Sequence, residues 1–171
     1  MARAFETVTD HLRNIKSNEL QTVGYIMKQS AIALMSSSEG SASILYATAF
    51  LRMASVFQNE RFVNAAVFEK ALQKAVEGLK QRGNVSFGDK TLVDVWIAVT
   101  DLFAQSNEFP QPNRIDRVAF QAMESTKDMK AKKGKAHIFD EKSVGNIDPG
   151  AASSYYLFAS LAETFEEKMN E

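Results

Sequence analysis

Apolar residues recur along this chain at three- and four-residue steps, the period of an amphipathic helix rather than the alternation of a strand. Over about 3–16 they are Phe5, Val8, Leu12 and Ile15, one stripe on one face. Ser17-Asn18 interrupts the pattern and is suited to cap the next helix. That helix, about 19–36, carries Leu20, Val23, Ile26, Met27, Ile32, Leu34 and Met35, and runs out in Ser36-Ser37-Ser38-Glu39-Gly40. From about 42 to 57 the apolar residues cover more than one face, so burial on several sides is expected. Residues 66–81 are amphipathic through Phe68, Leu72, Val76 and Leu79, and Arg82-Gly83 supplies a glycine suited to a helix C-terminus. Asp89 reads as the cap of a fifth helix containing Leu92, Val93, Trp96, Val99, Leu102 and Phe103. Pro110 and Pro112 forbid its continuation, and helices over about 114–132 and 149–169 complete the chain. The expected fold is all-α: an up-and-down antiparallel bundle or barrel of about seven helices, one domain over residues 1–171.

Composition narrows the setting. With 45% apolar residues the chain has material for a substantial core. It has no cysteine, so disulfides and thiolate metal sites are excluded and a reducing, cytoplasmic location is expected. The 20 basic and 21 acidic residues leave a net charge of -1, which gives no long-range field toward nucleic acid or an anionic membrane. No stretch approaches the roughly 18 apolar residues of a membrane span. Anion recognition, if present, must be local.

Three segments carry candidate chemistry. Ser36 to Ser43 is small and hydroxyl-rich and precedes the most apolar helix, a place where free N–H groups and the helix dipole suit an anion; a plain serine-rich turn is the alternative. Gly83 to Asp94 (GNVSFGDKTLVD) resembles part of a Walker loop, but Asp89 stands before Lys90 and no strand precedes it, so that reading is rejected. The third runs from Ala131 to Ala151. Lys127, Lys130, Lys132, Lys133 and Lys135 concentrate positive charge there, which suits a phosphate and equally a solvated helix end. Asp148-Pro149 fits a helix cap and first turn. The long aperiodic lead-in to it is uncommon without a function. His11 and His137 have no partner at ligand spacing, and no catalytic residue is assigned.

Taken in order, these segments resemble the DhaL family of ADP-binding subunits of dihydroxyacetone kinases. That family carries runs of the kind G-G-x-S-G-P-L-Y-G, R-G-x-x-x-x-G-[DE]-K-T-M-x-D and K-G-R-A-S-Y-L-G-E-R-S-x-G-x-x-D-P-G. Here they read Glu39 to Ala47, Arg82 to Asp94 and Lys133 to Gly150, and the likeness covers the whole chain. The resemblance implies an eight-helix barrel with ADP and magnesium at one rim. In the family a phosphohistidine carrier protein rephosphorylates the nucleotide, which then phosphorylates dihydroxyacetone on a partner subunit. Carried over, it implies phosphate contacts at Ser41 and Ala42 with Ser43 beside them, nucleoside contacts at Gly83 and Leu92, and further contacts at Lys135 and Asp148, Pro149 and Gly150. One nucleotide touching all of these requires the helix starts near 42, 89 and 149 to lie at one end.

The departures also carry meaning. Ala42-Ser43-Ile44 stands where the family has Ser-Gly-Pro, Leu92 replaces a methionine, Lys135 an arginine, and Phe139-Asp140 a Leu-Gly pair. Impaired nucleotide binding is expected, with a non-catalytic binding protein or a ligand-free helical interaction module as the alternatives. The family's G-D-x-D-H-G loop, which holds magnesium, has no counterpart, and Met1-Ala2-Arg3-Ala4-Phe5 is similar to the segment directly after it. The sequence is therefore expected to begin where that loop ends, as a truncation without the first helix of the barrel. Such a chain would leave a groove lined by Phe5, Val8, Leu157 and Leu161 that invites self-association.

Overall fold

A computed structural model describes residues 1–171 except 16–21, 38–39, 106 and 171, with backbone only for Lys135 and Asn170. Seven α-helices and no strand occur among the described residues: α1 (Ala2–Arg13), α2 (Val23–Ser36), α3 (Ser41–Phe57), α4 (Ala65–Gly83), α5 (Leu92–Phe103), α6 (Pro112–Ser125) and α7 (Pro149–Asn170). The all-helical expectation holds. The chain forms two compact units, Met1–Asn84 and Val85–Glu171.

In the first unit, successive helices run antiparallel. His11 Nε2 and Gln29 Oε1 meet at 3.0 Å between α1 and α2. Gly24, at the start of α2, lies against the backbone of Gln58, just past the end of α3. Phe57 stacks on Phe68 at 6.2 Å, and Gly78 faces Thr48 and Arg52, so α4 returns along α3. Leu34, Tyr46, Phe57, Leu72 and Leu79 are fully buried here, which accounts for the many-sided apolar pattern of α3. Of the residues expected to line a groove, Val8 is buried within this unit and Phe5 packs edge-on to Tyr46 at 5.6 Å; Leu157 and Leu161, on α7, are half-buried.

In the second unit, α6 runs antiparallel to α7, with Phe120 5.5 Å from Tyr155 and the Thr126 hydroxyl accepting from Asp148 N at 3.0 Å. Helix α5 is parallel to α7. Trp96 Nε1 donates to Ser154 Oγ at 3.1 Å, and the indole meets Phe158 edge-on at 5.0 Å. Such a pair contributes roughly 1 kcal/mol beyond its burial.

Several boundaries differ from the sequence expectation. The proposed cap Ser17-Asn18 lies outside the described residues; α2 starts behind Thr22, whose hydroxyl accepts from Tyr25 N at 3.1 Å. The left-handed position after α4 falls on Asn84 (φ 48) rather than on Gly83. Asp89 does not cap α5; Thr91 does, with Asp94 closing a capping box. Helix α6 begins earlier, with Pro112 in its first turn, and ends at Ser125 rather than at Lys132. A 3-10 turn over Thr126–Asp128 follows and leads to Met129 in an extended conformation, whose carbonyl accepts from the Lys90 ammonium.

The α2–α3 contact makes a testable demand. A Cβ on Gly24 would lie 2.7 Å from Gln58 N and 2.8 Å from Gln58 Cα, backbone atoms that cannot rotate away. Gly24→Ala is therefore expected to cost about 1–3 kcal/mol in urea unfolding, although alanine alone would favour the helix by up to about 1 kcal/mol. Equal stability of variant and parent would mean that the helices separate freely at this point.

Candidate functional site

The second unit places two helix starts side by side. Parallel packing sets Leu92, the first residue of α5, against Gly150 in the first turn of α7. A Cβ on Gly150 would lie 3.2 Å from both Leu92 Cβ and Leu92 N and 2.8 Å from Asp148 Oδ2, so glycine is needed for the close approach. Two aligned dipoles thus present positive ends at one place. Each end has its own carboxylate. Asp148 Oδ2 accepts from Ala151 N at 2.8 Å, and Asp94 accepts from Thr91 N at 2.7 Å and from Gly88 N at 2.6 Å.

Leading into α5, the loop from Val85 folds around buried polar groups. Asp89 Oδ2 accepts from Ser86 N at 2.8 Å, and the Asp89 carbonyl accepts from Lys132 N at 3.2 Å. Lys90 follows in a left-handed conformation (φ 61) and is 2% exposed. Its ammonium donates to the carbonyls of Ser143 at 2.5 Å and Met129 at 3.0 Å. Burial pulls this lysine's pKa below its ordinary value, opposed by the negative charges of Asp148 and Asp128.

The aperiodic lead-in to α7 is ordered by the same groups. Ser143 Oγ accepts from Ala131 N at 2.9 Å and donates to the Asp140 carbonyl at 2.6 Å. Gly145 N donates to the Lys127 carbonyl at 2.7 Å. Residues Lys135–Ser143 form 3-10 turns kinked at Asp140 (φ 46). Lys130 spans the kink with ion pairs of 2.7 Å to both Asp140 and Glu141, which hold the Asp140 carboxyl below its usual range. Asp140 thus occupies the strained backbone position, and Lys130 neutralises its charge.

In the first unit, Gly40 precedes α3 with φ 87, and among the described residues no side chain caps the helix start. Ser43 is buried and its hydroxyl is turned back to the Gly40 carbonyl at 2.8 Å. Ser41 and Ala42 are the first two helical residues. The antiparallel register through Phe57–Phe68 and Thr48–Gly78 carries Gly83 to the level of Ala42–Ser43. Ser41, Ala42, Ser43 and Gly83 therefore share one end of the first unit, and Leu92, Asp148, Pro149 and Gly150 share one end of the second. Lys135 opens the 3-10 segment of the second unit.

Sequence reading missed Lys90, Asp94, Thr126 and Ser143 as organisers of this site. For Lys90 and Asp94 the signal was present in the run Gly88 to Asp94, where a lysine and two aspartates stand beside one glycine, a threonine and two apolar residues. His11 and His137 contact Gln29 and the Ala131 carbonyl, respectively. Among the described residues no group of three His, Cys, Asp or Glu side chains is placed to hold a metal ion.

A helical fold with clustered helix starts defines a class before it defines a protein, and comparison with known proteins supplies the class. The DAK2 domain model matches residues 1–163. The chain belongs to the DAK2 domain family, and within it to the DhaL kind. It is 35% identical over 139 residues to the ADP-binding subunit DhaL of PEP-dependent dihydroxyacetone kinase 1 from Listeria innocua, covering 81% of this chain and 67% of that one. With the corresponding Escherichia coli subunit it shares 31% identity, over 98% of this chain and 80% of the relative. The crystal structure of dihydroxyacetone kinase from C. freundii has the same fold over 95% of this chain, with a TM-score of 0.61 and 22% identity. This chain spans 28% of that structure's length.

Asp148 offers a direct test of the site's electrostatics. Burial raises its pKa above the ordinary value, the N–H groups of Ala151 and Gly150 oppose the rise, and the charge of Asp94 adds to it. Because the folded pKa lies above the unfolded one, ionising Asp148 costs stability as pH rises through that interval, and the whole cost is present at neutral pH. Asp148→Asn keeps an acceptor for Ala151 N without the charge. Thermal unfolding of both proteins from about pH 3.5 to 7 should show the variant gaining on the parent as pH rises from about 4. A parent that gains instead would mean that ionised Asp148 is stabilising.

Proposed function

We propose that this chain acts as the ADP-binding subunit of a dihydroxyacetone kinase. On this reading the nucleotide is a resident cofactor, ADP alternating with ATP. A phosphohistidine carrier protein supplies the phosphoryl group, and dihydroxyacetone accepts it on a separate kinase subunit. The observation that carries the reading is the start of α3. A hydroxyl-rich helix terminus has Gly40 at φ 87 in front of it and no side-chain cap among the described residues, an arrangement suited to a phosphate. The DhaL relatives, whose names describe ADP-binding subunits, supply the nucleotide.

Each residue then has a physical task. Main-chain N–H groups at Ser41 and Ala42 donate to phosphate oxygens, with Ser43 holding the turn through its bond to Gly40. The family pattern assigns Gly83 of the first unit and Leu92 of the second to the nucleoside, and Lys135 stands where the family carries an arginine. Asp148, Pro149 and Gly150 shape the start of α7. The described residues do not fit a magnesium ion, and no step is assigned to one. A second reading, in which the chain binds nucleotide without transferring phosphate, is supported by the departures from the family pattern at Ala42-Ser43-Ile44 and Lys135.

Calorimetry on the full chain separates these cases. ADP is expected to bind weakly and with little response to magnesium, and Lys135→Ala is expected to weaken binding by about tenfold, the worth of one charge-assisted phosphate contact. Absence of ADP binding would sink the nucleotide reading. Strong enhancement by magnesium would restore a metal site, and phosphoryl transfer in a reconstituted kinase would decide between carrier and silent binder.

A further inference from the structure

Lys90 is a buried polar group of the second unit that the proposed function leaves unused, and its placement is costly on two counts. Its backbone is left-handed, where a side chain with a Cβ is disfavoured, and its ammonium is withdrawn from water. Such a residue persists only where its partners compensate. Those partners are carbonyls 39 and 53 residues further along the chain, at Met129 and Ser143.

The two carbonyls flank the lysine-rich turn. By holding both, one ammonium gathers 129–131 and 140–143 together, and the Ser143 hydroxyl repeats the closure between Ala131 N and the Asp140 carbonyl. The intervening residues form a closed loop containing Lys132, Lys133 and Lys135, fixed to the α5 side by Lys132 N on the Asp89 carbonyl. Beyond the loop, Val144 and Gly145 lead to Asp148 and the start of α7.

We propose that Lys90 is a positioning residue, which sets the path of the 129–143 loop for binding of a nucleoside diphosphate. The inference rests on the nucleotide reading given above. At 2% exposure Lys90 does not touch the ligand and acts through the loop.

The test uses the full chain with Lys90→Met, which keeps the stem and removes the charge, and Ser143→Ala as a milder release of the same loop. Circular dichroism checks that the helices are retained. Trypsin cleavage at Lys130 to Lys135 is followed by mass spectrometry without ligand, and ADP affinity is measured by calorimetry. Both variants should be cut at the loop at least about fivefold faster than the parent and bind ADP at least about fivefold more weakly. In the Lys90→Met background, Lys135→Ala should produce little further loss, because the loop is already misplaced; the two effects are then non-additive. Fully additive losses, or loop cleavage at the parent's rate, would overturn the positioning role. If Lys90→Met does not fold, Ser143→Ala carries the same test, combined with Lys135→Ala. A parent that fails to bind ADP removes the nucleotide reading and this role with it, while the ligand-free cleavage rates still report whether Lys90 holds the loop.

Discussion

The approach of two helix starts at Leu92 and Gly150 governs the second unit. Because residue 150 has no Cβ, α7 can lie against the first turn of α5, and the register then continues to Trp96 with Ser154 and Phe158. Aligned dipoles at such short range repel, since both ends are positive. Asp94 and Asp148 answer this, one carboxylate per helix end, each accepting main-chain N–H bonds. Their proximity has an electrostatic cost, visible in the contribution of Asp94 to the raised pKa of Asp148. Lys90 lies within the field of Asp148 and offsets part of it.

The two units solve different physical problems. The first buries apolar side chains on four helices, with Tyr46, Phe57, Leu72 and Leu79 removed from solvent and few polar groups among them. In the second, a comparable apolar core of Trp96, Phe103, Val99 and Ile115 adjoins a layer of buried polar residues: Asp89, Lys90, Asp94, Thr126 and Ser143. Every buried side-chain polar atom among the described residues has a hydrogen-bond partner. Satisfied networks of this kind fix a single geometry, because each alternative leaves a donor or acceptor stranded at about 1–3 kcal/mol. An irregular segment such as 129–148 can be held this way without regular secondary structure.

Two departures from the family pattern have local partners in the structure. Asp140, in place of a glycine, adopts φ 46 and is neutralised by Lys130, so the charge it adds is met locally. The hydroxyl of Ser43 is turned to the Gly40 carbonyl and so has a main-chain partner of its own. Leu92 is 6% exposed, and part of its side chain serves the α5–α7 contact as much as any ligand.

The helices were legible in the sequence because their period is local. Residues three and four apart decide whether an apolar stripe exists, and α1 to α7 follow those stripes, with Trp96, Tyr46 and Phe57 buried as the pattern required. The order of the three motif runs likewise pointed to the family, since it depends only on residue type and spacing. Where α5 begins was not legible: Asp89 and Thr91 are both good caps, and the choice falls to Thr91 because the Asp89 carbonyl is engaged by Lys132 and its side chain by Ser86. Nor was the path after α6, where Met129 turns extended and its carbonyl meets the Lys90 ammonium. Lys90 itself reads as a surface residue, for lysine is almost never buried unless paired. Its partners lie 39 and 53 residues away, and a buried charge is stable only where such distant groups arrive together, which packing decides and local spacing does not.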